Sequence, residues 1–540
     1  MPRHYTRGWM ACWMVLLLIG TGCSQTDPSP TSPPNIVLIM VDDMGYSDIG
    51  PYGGEIPTPT LDRLAADGIR FSQFYNTSRC CPTRASLLTG LYQHQAGIGH
   101  MTSEGKWNFD YGTPGFRGFL NRNCVTLAEA LKPAGYHTFM TGKWHVGSVD
   151  STKYPLQRGF DKFYGVLAGA FSYFWPHGQR GLMYQNTPLS PPDSLSYYTT
   201  DVFTDSAISF IDHRQDDNPF FLYLAYNAPH WPLHAKEADI EKFVGKYQMG
   251  WDSVRNARLA RQQEMGLLPS DITLAERDAR VRPWSEVPDS QRVQSDYRMA
   301  VYAAQIHSVD ENIGKLVRYL ESKGQLDNTL IMFLSDNGGC AEPYKELGGQ
   351  TMAHINRASY SGSVSYGIGW ANASNTPFDL YKTFVHEGGV STPFIAHWPD
   401  GIKLDGGSIL HGPAHLIDVM PTVVDLAGAS YPTQVGADTI TPMEGQSLRT
   451  IFETGTRTDP EYLYFEHRKR CAIRAGKWKA LAHVDSLNWS LYDLSIDRIE
   501  SHDVAADHPE VVAELGAAWL RWAERANVLD RGVKPKKSYN

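Results

Sequence analysis

Ile36-Val37-Leu38-Ile39-Met40-Val41 is an unbroken run of apolar residues that stops abruptly on Asp42-Asp43. A short run of this kind fits a strand covered on both faces, because a half-exposed strand would alternate. Three more runs repeat the pattern: Phe220 to Tyr226, Thr329 to Leu334, and the shorter His137 to Thr141. Amphipathic segments lie between them. The longest carries Met299, Tyr302, Ile306, Val309, Ile313, Leu316, Val317 and Leu320, with Gly324 to close it. Steps of three and four place those side chains on one helical face. Strands alternating with helices predict an α/β fold, a large and mainly parallel sheet sandwiched by helices.

In such sheets ligands bind beyond the carboxyl ends of the strands. The first run is followed by Asp42 and Asp43, and the third by Asp336, Asn337 and two glycines. The second leads to His230, and the fourth to Lys143 and His145. Carboxylates brought together from two strand ends repel, and a hard cation with oxygen ligands resolves the conflict. Asp42, Asp43, Asp336 and the amide oxygen of Asn337 form a Ca²⁺ set, with Mg²⁺ second because it demands stricter octahedral geometry. Asp-Asp and Asp-Asn-Gly-Gly also read as plain turn formers, and both readings stand at this point.

The chain has 540 residues, 42% hydrophobic and 20% charged, an ordinary globular balance. A net charge of −9 with no long basic run in the body speaks against nucleic acid as a partner. Arg3, His4 and Arg7 precede Met14 to Ile19, an apolar core too short to span a bilayer and suited to a signal peptide. Gly20-Thr21-Gly22-Cys23 resembles a bacterial lipoprotein processing site, with Gly20 where leucine is usual; an ordinary cleavage site is the alternative. The expectation is an exported periplasmic or cell-surface lipoprotein, touching membrane only through lipid on Cys23. The organisation expected is a leader (1–23), a Pro/Ser tether (24–34), a main domain (35–440), a small α+β domain with a short antiparallel sheet (441–530) and a basic tail (531–540). Residues 237–292 read as a polar, helix-bearing insertion and a candidate lid. Cys80, Cys81, Cys124, Cys340 and Cys471 remain in the body, which is no disulfide framework.

Two of those cysteines are adjacent, in Ser78-Arg79-Cys80-Cys81-Pro82-Thr83-Arg84. Neighbouring cysteines rarely bridge to each other. Pro82 suits the first turn of a helix, which puts Cys80 at its N-terminus and Arg84 four residues on. A helix N-terminus with a guanidinium beside it attracts an anion and depresses a thiol pKa. Leu87 and Leu88 would anchor this helix in the core. A buried structural cysteine is the bland alternative, and it leaves Arg84 unexplained.

Cys80-Cys81-Pro82-Thr83-Arg84-Ala85-Ser86-Leu87-Leu88-Thr89-Gly90 resembles the C-x-P-S/T-R-x-x-x-L-T-G signature of type I sulfatases, members of the alkaline phosphatase-like superfamily. Val41 to Gly45, Gly142 to His145, Ser335 to Gly339 and Tyr381 to Pro393 also match family stretches, and the resemblance runs from Asn35 to about Val528. Thr83 replaces the commoner serine, and Val390-Ser391 replaces a frequent basic residue. The resemblance implies that Cys80 becomes formylglycine through a formylglycine-generating or anaerobic sulfatase-maturing enzyme, with Cys81 a bystander. It implies a sulfuric ester hydrolase, arylsulfatase-like, acting on a sulfated small molecule or glycan. Hydrated formylglycine would attack sulfur beside the cation, which position 80 helps to bind. Lys143, His230 and Lys382 would hold the sulfuryl oxygens, and Arg84 the formylglycine hydroxyls. His230 with Lys382 would protonate the leaving oxygen, and His145 would take a proton from the second hydroxyl to restore the aldehyde. Rival readings are a related phosphate or phosphonate ester hydrolase, a glycan-binding homologue without activity, and a cysteine hydrolase using the thiolate directly. Trp107, Phe109, Tyr111, Phe171, Tyr173, Phe174, Trp175 and Trp231 lie where loops are expected, and fit sugar stacking or loop packing equally.

Overall fold

The computed structural model describes residues 1–4, 32–104, 108–190, 196–349 and 351–532. The leader core, Cys23, Trp107 and the last part of the basic tail lie outside the described residues. Each of the four apolar runs is a strand of one sheet. In chain order its strands are β1 (Asn35–Asp42), β2 (Ile69–Tyr75), β3 (His137–Lys143), β4 (Lys162–Val166), β5 (Met183–Tyr184), β6 (Thr187–Pro188), β7 (Phe220–Pro229), β8 (Thr329–Ser335), β9 (Ser391–His397), β10 (Ser408–Leu410) and β11 (Ala414–His415). The spatial order is β10-β2-β9-β8-β1-β7-β3-β4-β5-β6, with β11 also on β2. Strands β8, β1, β7, β3 and β4 run parallel. Strand β9 is antiparallel to both neighbours, so the sheet is mixed.

β1 lies at the centre, Val37 paired with Leu222 on one side and Ile331 on the other. Its unbroken apolar run is explained by what covers it. Val37, Ile39 and Val41 enter one core with Ile306, Val309 and Ile313 of the helix Asp289–Ser322. Ile36, Leu38 and Met40 enter another with Leu87 and Leu88 of the helix Cys80–Thr89. A polar residue at either parity would be buried without a partner.

The long helix starts at Asp289, ten residues before Met299 and inside the last residues of the segment expected to be polar, 237–292. Pro288 precedes it, and its first turns carry polar residues such as Gln291 and Arg292. Residues 237–292 do bear a helix, Gly250–Glu264, yet they are clamped to the body rather than poised above it. Trp251 is fully buried, and the buried Arg258 donates to Asp48 at 2.6 Å and to Glu55 at 2.8 Å. These contacts anchor the segment to the body.

A two-stranded ribbon, β12 (Gln434–Val435) with β13 (Asp438–Thr439), precedes the C-terminal region. There β14 (Leu463–His467), β15 (Arg470–Ala475), β16 (Trp478–His483) and β17 (Ser490–Asp493) form an antiparallel sheet, packed by the helix Pro509–Arg525. Leu463, Phe465, Ala472 and Leu481 share a small core with Tyr75, Val385 and Val390 of the main sheet region. No disulfide occurs among the described residues, and no helix among them is long and apolar enough to cross a membrane.

Candidate active site

The four strand ends converge. Asp42 is the last residue of β1, and the next residue, Asp43, turns out of the sheet at φ 69°. That left-handed conformation is costly for a residue other than glycine. It is held by neighbours: the Asp43 N–H donates to Asp336 Oδ1 at 3.0 Å, and the Asp336 N–H to the Val41 carbonyl at 3.1 Å. β1 and β8 thereby bring Asp42, Asp43, Asp336 and Asn337 into one wall, all nearly inaccessible to solvent. Lys143 at the end of β3 donates from Nζ to Asp42 Oδ2 at 2.5 Å. His145, two residues on, sits at φ 54° against Gly169, where an added Cβ would stand 2.8 Å from the imidazole Nε2.

Cys80 opens its helix as the sequence predicts, and is 2% exposed. Arg79 is the N-cap, and the Thr83 N–H donates to the Arg79 carbonyl at 2.9 Å. All ten helix residues are buried, which its mixed sequence does not announce, and Gly90 ends it in the left-handed conformation at φ 67°. Arg84 Nη2 donates to Asp336 Oδ2 at 3.2 Å and lies 3.8 Å from Asp42 Oδ1. Its Nη1 donates to the Lys143 carbonyl at 3.0 Å and to the Tyr223 hydroxyl at 3.3 Å. Ligand atoms of Asp42, Cys80 and Asp336 lie within 4.8 Å of one another, as do those of Asp42, Asp43 and His230. Lys382 Nζ donates to Asp43 Oδ1 at 2.6 Å, and His230 Nε2 lies 3.3 Å from Asp43 Oδ2. Every site residue expected from the sequence within the described chain is therefore in one pocket.

The electrostatics are those of a pocket with too much negative charge. Burial opposes ionisation of Asp42, but Lys143, His230 and Arg84 override it and hold its carboxyl well below the usual range. Burial and the charge of Asp42 push Asp336 well above it. A hydrogen bond from Cys81, aided by Lys143 and Lys382 against burial, holds the Cys80 thiol well below its ordinary value. Burial would neutralise Lys382, and Asp43 reverses this so that its ammonium persists far above the usual range. Burial lowers both His145 and His230.

Asp42 Oδ1, Asp43 Oδ2 and Asn337 Oδ1 are buried oxygens without a hydrogen-bond donor. Orphaned oxygens on neighbouring carboxylates and an amide, in a dry pocket, are the donor set of a hard divalent cation. The residues fit such an ion.

Sequence reasoning missed three contributors. The Tyr223 hydroxyl receives Arg84, from the middle of an apolar run. Arg79 donates to Glu342 at 2.8 Å beside the pocket, and an arginine abutting the cysteine doublet was the signal for it. Gly169 makes room for His145.

Comparison with known proteins agrees with this geometry. The sequence model of the sulfatase family matches residues 34–429, and that of the N-sulphoglucosamine sulphohydrolase C-terminal region matches residues 377–520. An uncharacterized sulfatase of Schizosaccharomyces pombe is 33% identical over 92% of this chain and 94% of its own length. An arylsulfatase of Klebsiella aerogenes is 36% identical over 77% of this chain and 92% of its own. The solved structure of Ps i-CgsB in complex with k-i-k-neocarrahexaose is similar at a TM-score of 0.65 and 27% identity, covering 91% of this chain and 93% of that one. By sequence over most of its length and by fold, the chain belongs to the sulfatase family, the sulfuric ester hydrolases of the alkaline phosphatase-like superfamily.

Proposed function

We propose that the protein hydrolyses sulfate monoesters of carbohydrates to alcohol and inorganic sulfate, using formylglycine made from Cys80 beside a divalent cation, Ca²⁺ in preference to Mg²⁺. The observation that carries this reading is the placement of Cys80, on a helix N-terminus with Asp42 and Asp336 within 4.8 Å. The carbohydrate substrate is supported by relatives named for sugar sulfates, such as the N-acetylglucosamine-6-O-sulfatase of Bacteroides thetaiotaomicron, 26% identical over 89% of this chain and 84% of its own.

Asp42, Asp43, Asp336 and Asn337 would hold the cation, which would lower the pKa of an oxygen at position 80 and offset charge on the sulfuryl group. The hydrated aldehyde would supply the nucleophilic oxygen and a second hydroxyl. The chain's own groups do the rest. The Lys143 and Lys382 ammonium groups face the place where sulfuryl charge grows, in a pocket dry enough for their fields to act strongly. Arg84 is fixed by Asp336 and Tyr223, and its rigid fork holds the helix start against β8. The Trp231 carbonyl accepts from His230 Nδ1 at 2.6 Å. A carbonyl only accepts, so Nδ1 carries a proton; a second proton, on Nε2 of the imidazolium, is the one that would pass to the departing alcohol, with Lys382 assisting. Neither ring nitrogen of His145 has a hydrogen-bond partner of ordinary length, which leaves it free to receive a proton near position 80.

The test is peptide mass spectrometry at Cys80, paired with turnover of aryl sulfate and aryl phosphate esters. The expected result is a loss of about 18 mass units with sulfate ester preferred. Full sulfatase activity in a metal-loaded Cys80→Ala variant would end the proposal. Export and lipidation at Cys23 belong to the same reading, and a Cys23→Ala variant should leave the membrane fraction for the soluble one.

A further inference from the structure

The loop that follows Gly169 does more than make room for His145. Ser172 Oγ donates to the Ala358 carbonyl at 2.6 Å and accepts from the Trp175 N–H at 3.1 Å, which ties the loop down at its start. Trp175 is nevertheless 38% exposed, among the few large apolar side chains left open to solvent. Its ring lies 5.0 Å from that of His177 at an interplanar angle of 31°, and the Trp175 carbonyl accepts from His177 Nδ1 at 2.8 Å. Phe171, Ser172, His177, Arg180 and Ser361 are among the residues that line a hollow of about 260 Å³. Arg180 Nε donates to Glu104 Oε1 at 3.2 Å, and the Arg180 side chain keeps about a third of its surface in solvent. Phe171 and Ser172, which line the hollow, follow Gly169 by two and three residues, and Gly169 packs directly on the His145 ring, so the hollow lies beside the reaction pocket.

We propose that this hollow is a subsite for the sugar ring next to the scissile sulfate, and that it selects rings bearing a second anionic group, sulfate or carboxylate. The inference rests on the sulfatase reading above. The hollow is at the small end for ligand pockets, with room for one ring rather than a chain. The exposed indole, tilted against His177 of the hollow's lining, offers a flat apolar face to the C–H side of a pyranose. The Glu104 contact fixes the plane of the Arg180 guanidinium, whose paired N–H groups match planar or tetrahedral oxyanions.

The test uses three variants of the mature enzyme, Arg180→Ala, Arg180→Lys and Trp175→Ala, with 4-nitrophenyl sulfate as the reporter. Dextran sulfate oligosaccharides, and unsulfated dextran of equal length, serve as competitors. Dextran sulfate should inhibit the wild type and dextran should not. In Arg180→Ala and Trp175→Ala the inhibition constant should rise about tenfold, the weight of one charge-assisted contact. Arg180→Lys should recover part of the loss, and kcat/KM for 4-nitrophenyl sulfate should stay within about twofold of wild type, since a small aryl ester does not fill the subsite. An unchanged inhibition constant in both alanine variants overturns the subsite. So does a wild type that does not distinguish the two polymers, or a parallel loss of aryl sulfate turnover. If the wild type fails to cleave 4-nitrophenyl sulfate although formylglycine is present, the sulfatase reading fails instead. Calorimetric titration of dextran sulfate into wild type and Arg180→Ala then still reads the subsite.

Discussion

Asp336 concentrates the electrostatic tension of the pocket. It receives Arg84 and the Asp43 N–H, and still its carboxyl is pushed up by burial and by Asp42. Replacing it with asparagine keeps the shape and removes one of three clustered carboxylates. We expect Asp336→Asn to bind less than one divalent ion per chain by elemental analysis, with turnover down about a hundredfold to a thousandfold. A second residue-scale prediction concerns acid. His415 is fully buried, its Nδ1 accepts from the Ile417 N–H at 3.2 Å, and burial holds it at about 3, against an ordinary 6.5. Below pH 6.5 the unfolded chain takes up a proton that the fold refuses, so stability present above that pH is lost as pH falls toward 3. The full effect is up to about 5 kcal/mol. Denaturant melts from pH 7 to 4.5 should fall less steeply in His415→Asn, and equal slopes would refute this. The candidate catalytic and metal-site residues that share the pocket were legible because each follows an apolar run or lies in a short motif. Tyr223 and Glu342 were not, since each acts on a partner more than a hundred residues away and nothing local marks it.

At the scale of elements, the strands read clearly wherever burial on both faces demanded unbroken apolar runs. The reversed direction of β9 did not, because direction leaves no trace in a strand's own residues. Lys479 is a sharper case. In Trp478-Lys479-Ala480-Leu481 it looks like the exposed half of an alternating strand, yet it is fully buried. Its Nζ donates to Glu387 Oε1 at 2.8 Å and lies 2.7 Å from Glu500. Glu387 also receives Arg498 at 3.2 Å and the Tyr75 hydroxyl at 3.0 Å. This network joins β16 to the segment that carries Lys382, five residues before Glu387. Removing one member leaves the opposite charges buried and unmatched. Lys479→Met should therefore cost about 3–5 kcal/mol in chemical unfolding; a loss below 1 kcal/mol would mean the network is hydrated.

The sequence places a boundary near residue 440, and the α+β character beyond it is what the C-terminal sheet and helix display. Packing nonetheless crosses the boundary. Tyr92, just past the Cys80 helix, stacks edge-on to Trp522 at 5.0 Å, and Leu515, Trp519 and Trp522 share a core with Leu91 and Met420. Because the described C-terminal residues share their cores with the main domain, the two regions should unfold together. One calorimetric transition is expected, with the calorimetric and van't Hoff enthalpies equal; two resolved transitions would show independent domains.

That shared core also sets a clock. Cys80 is 2% exposed once its helix is packed, and the core around that helix takes in Leu515, Trp519 and Trp522 from beyond residue 440. A catalyst that had to grip this sulfur would therefore have to act before the helix is packed, and collapse ahead of it would seal the thiol in.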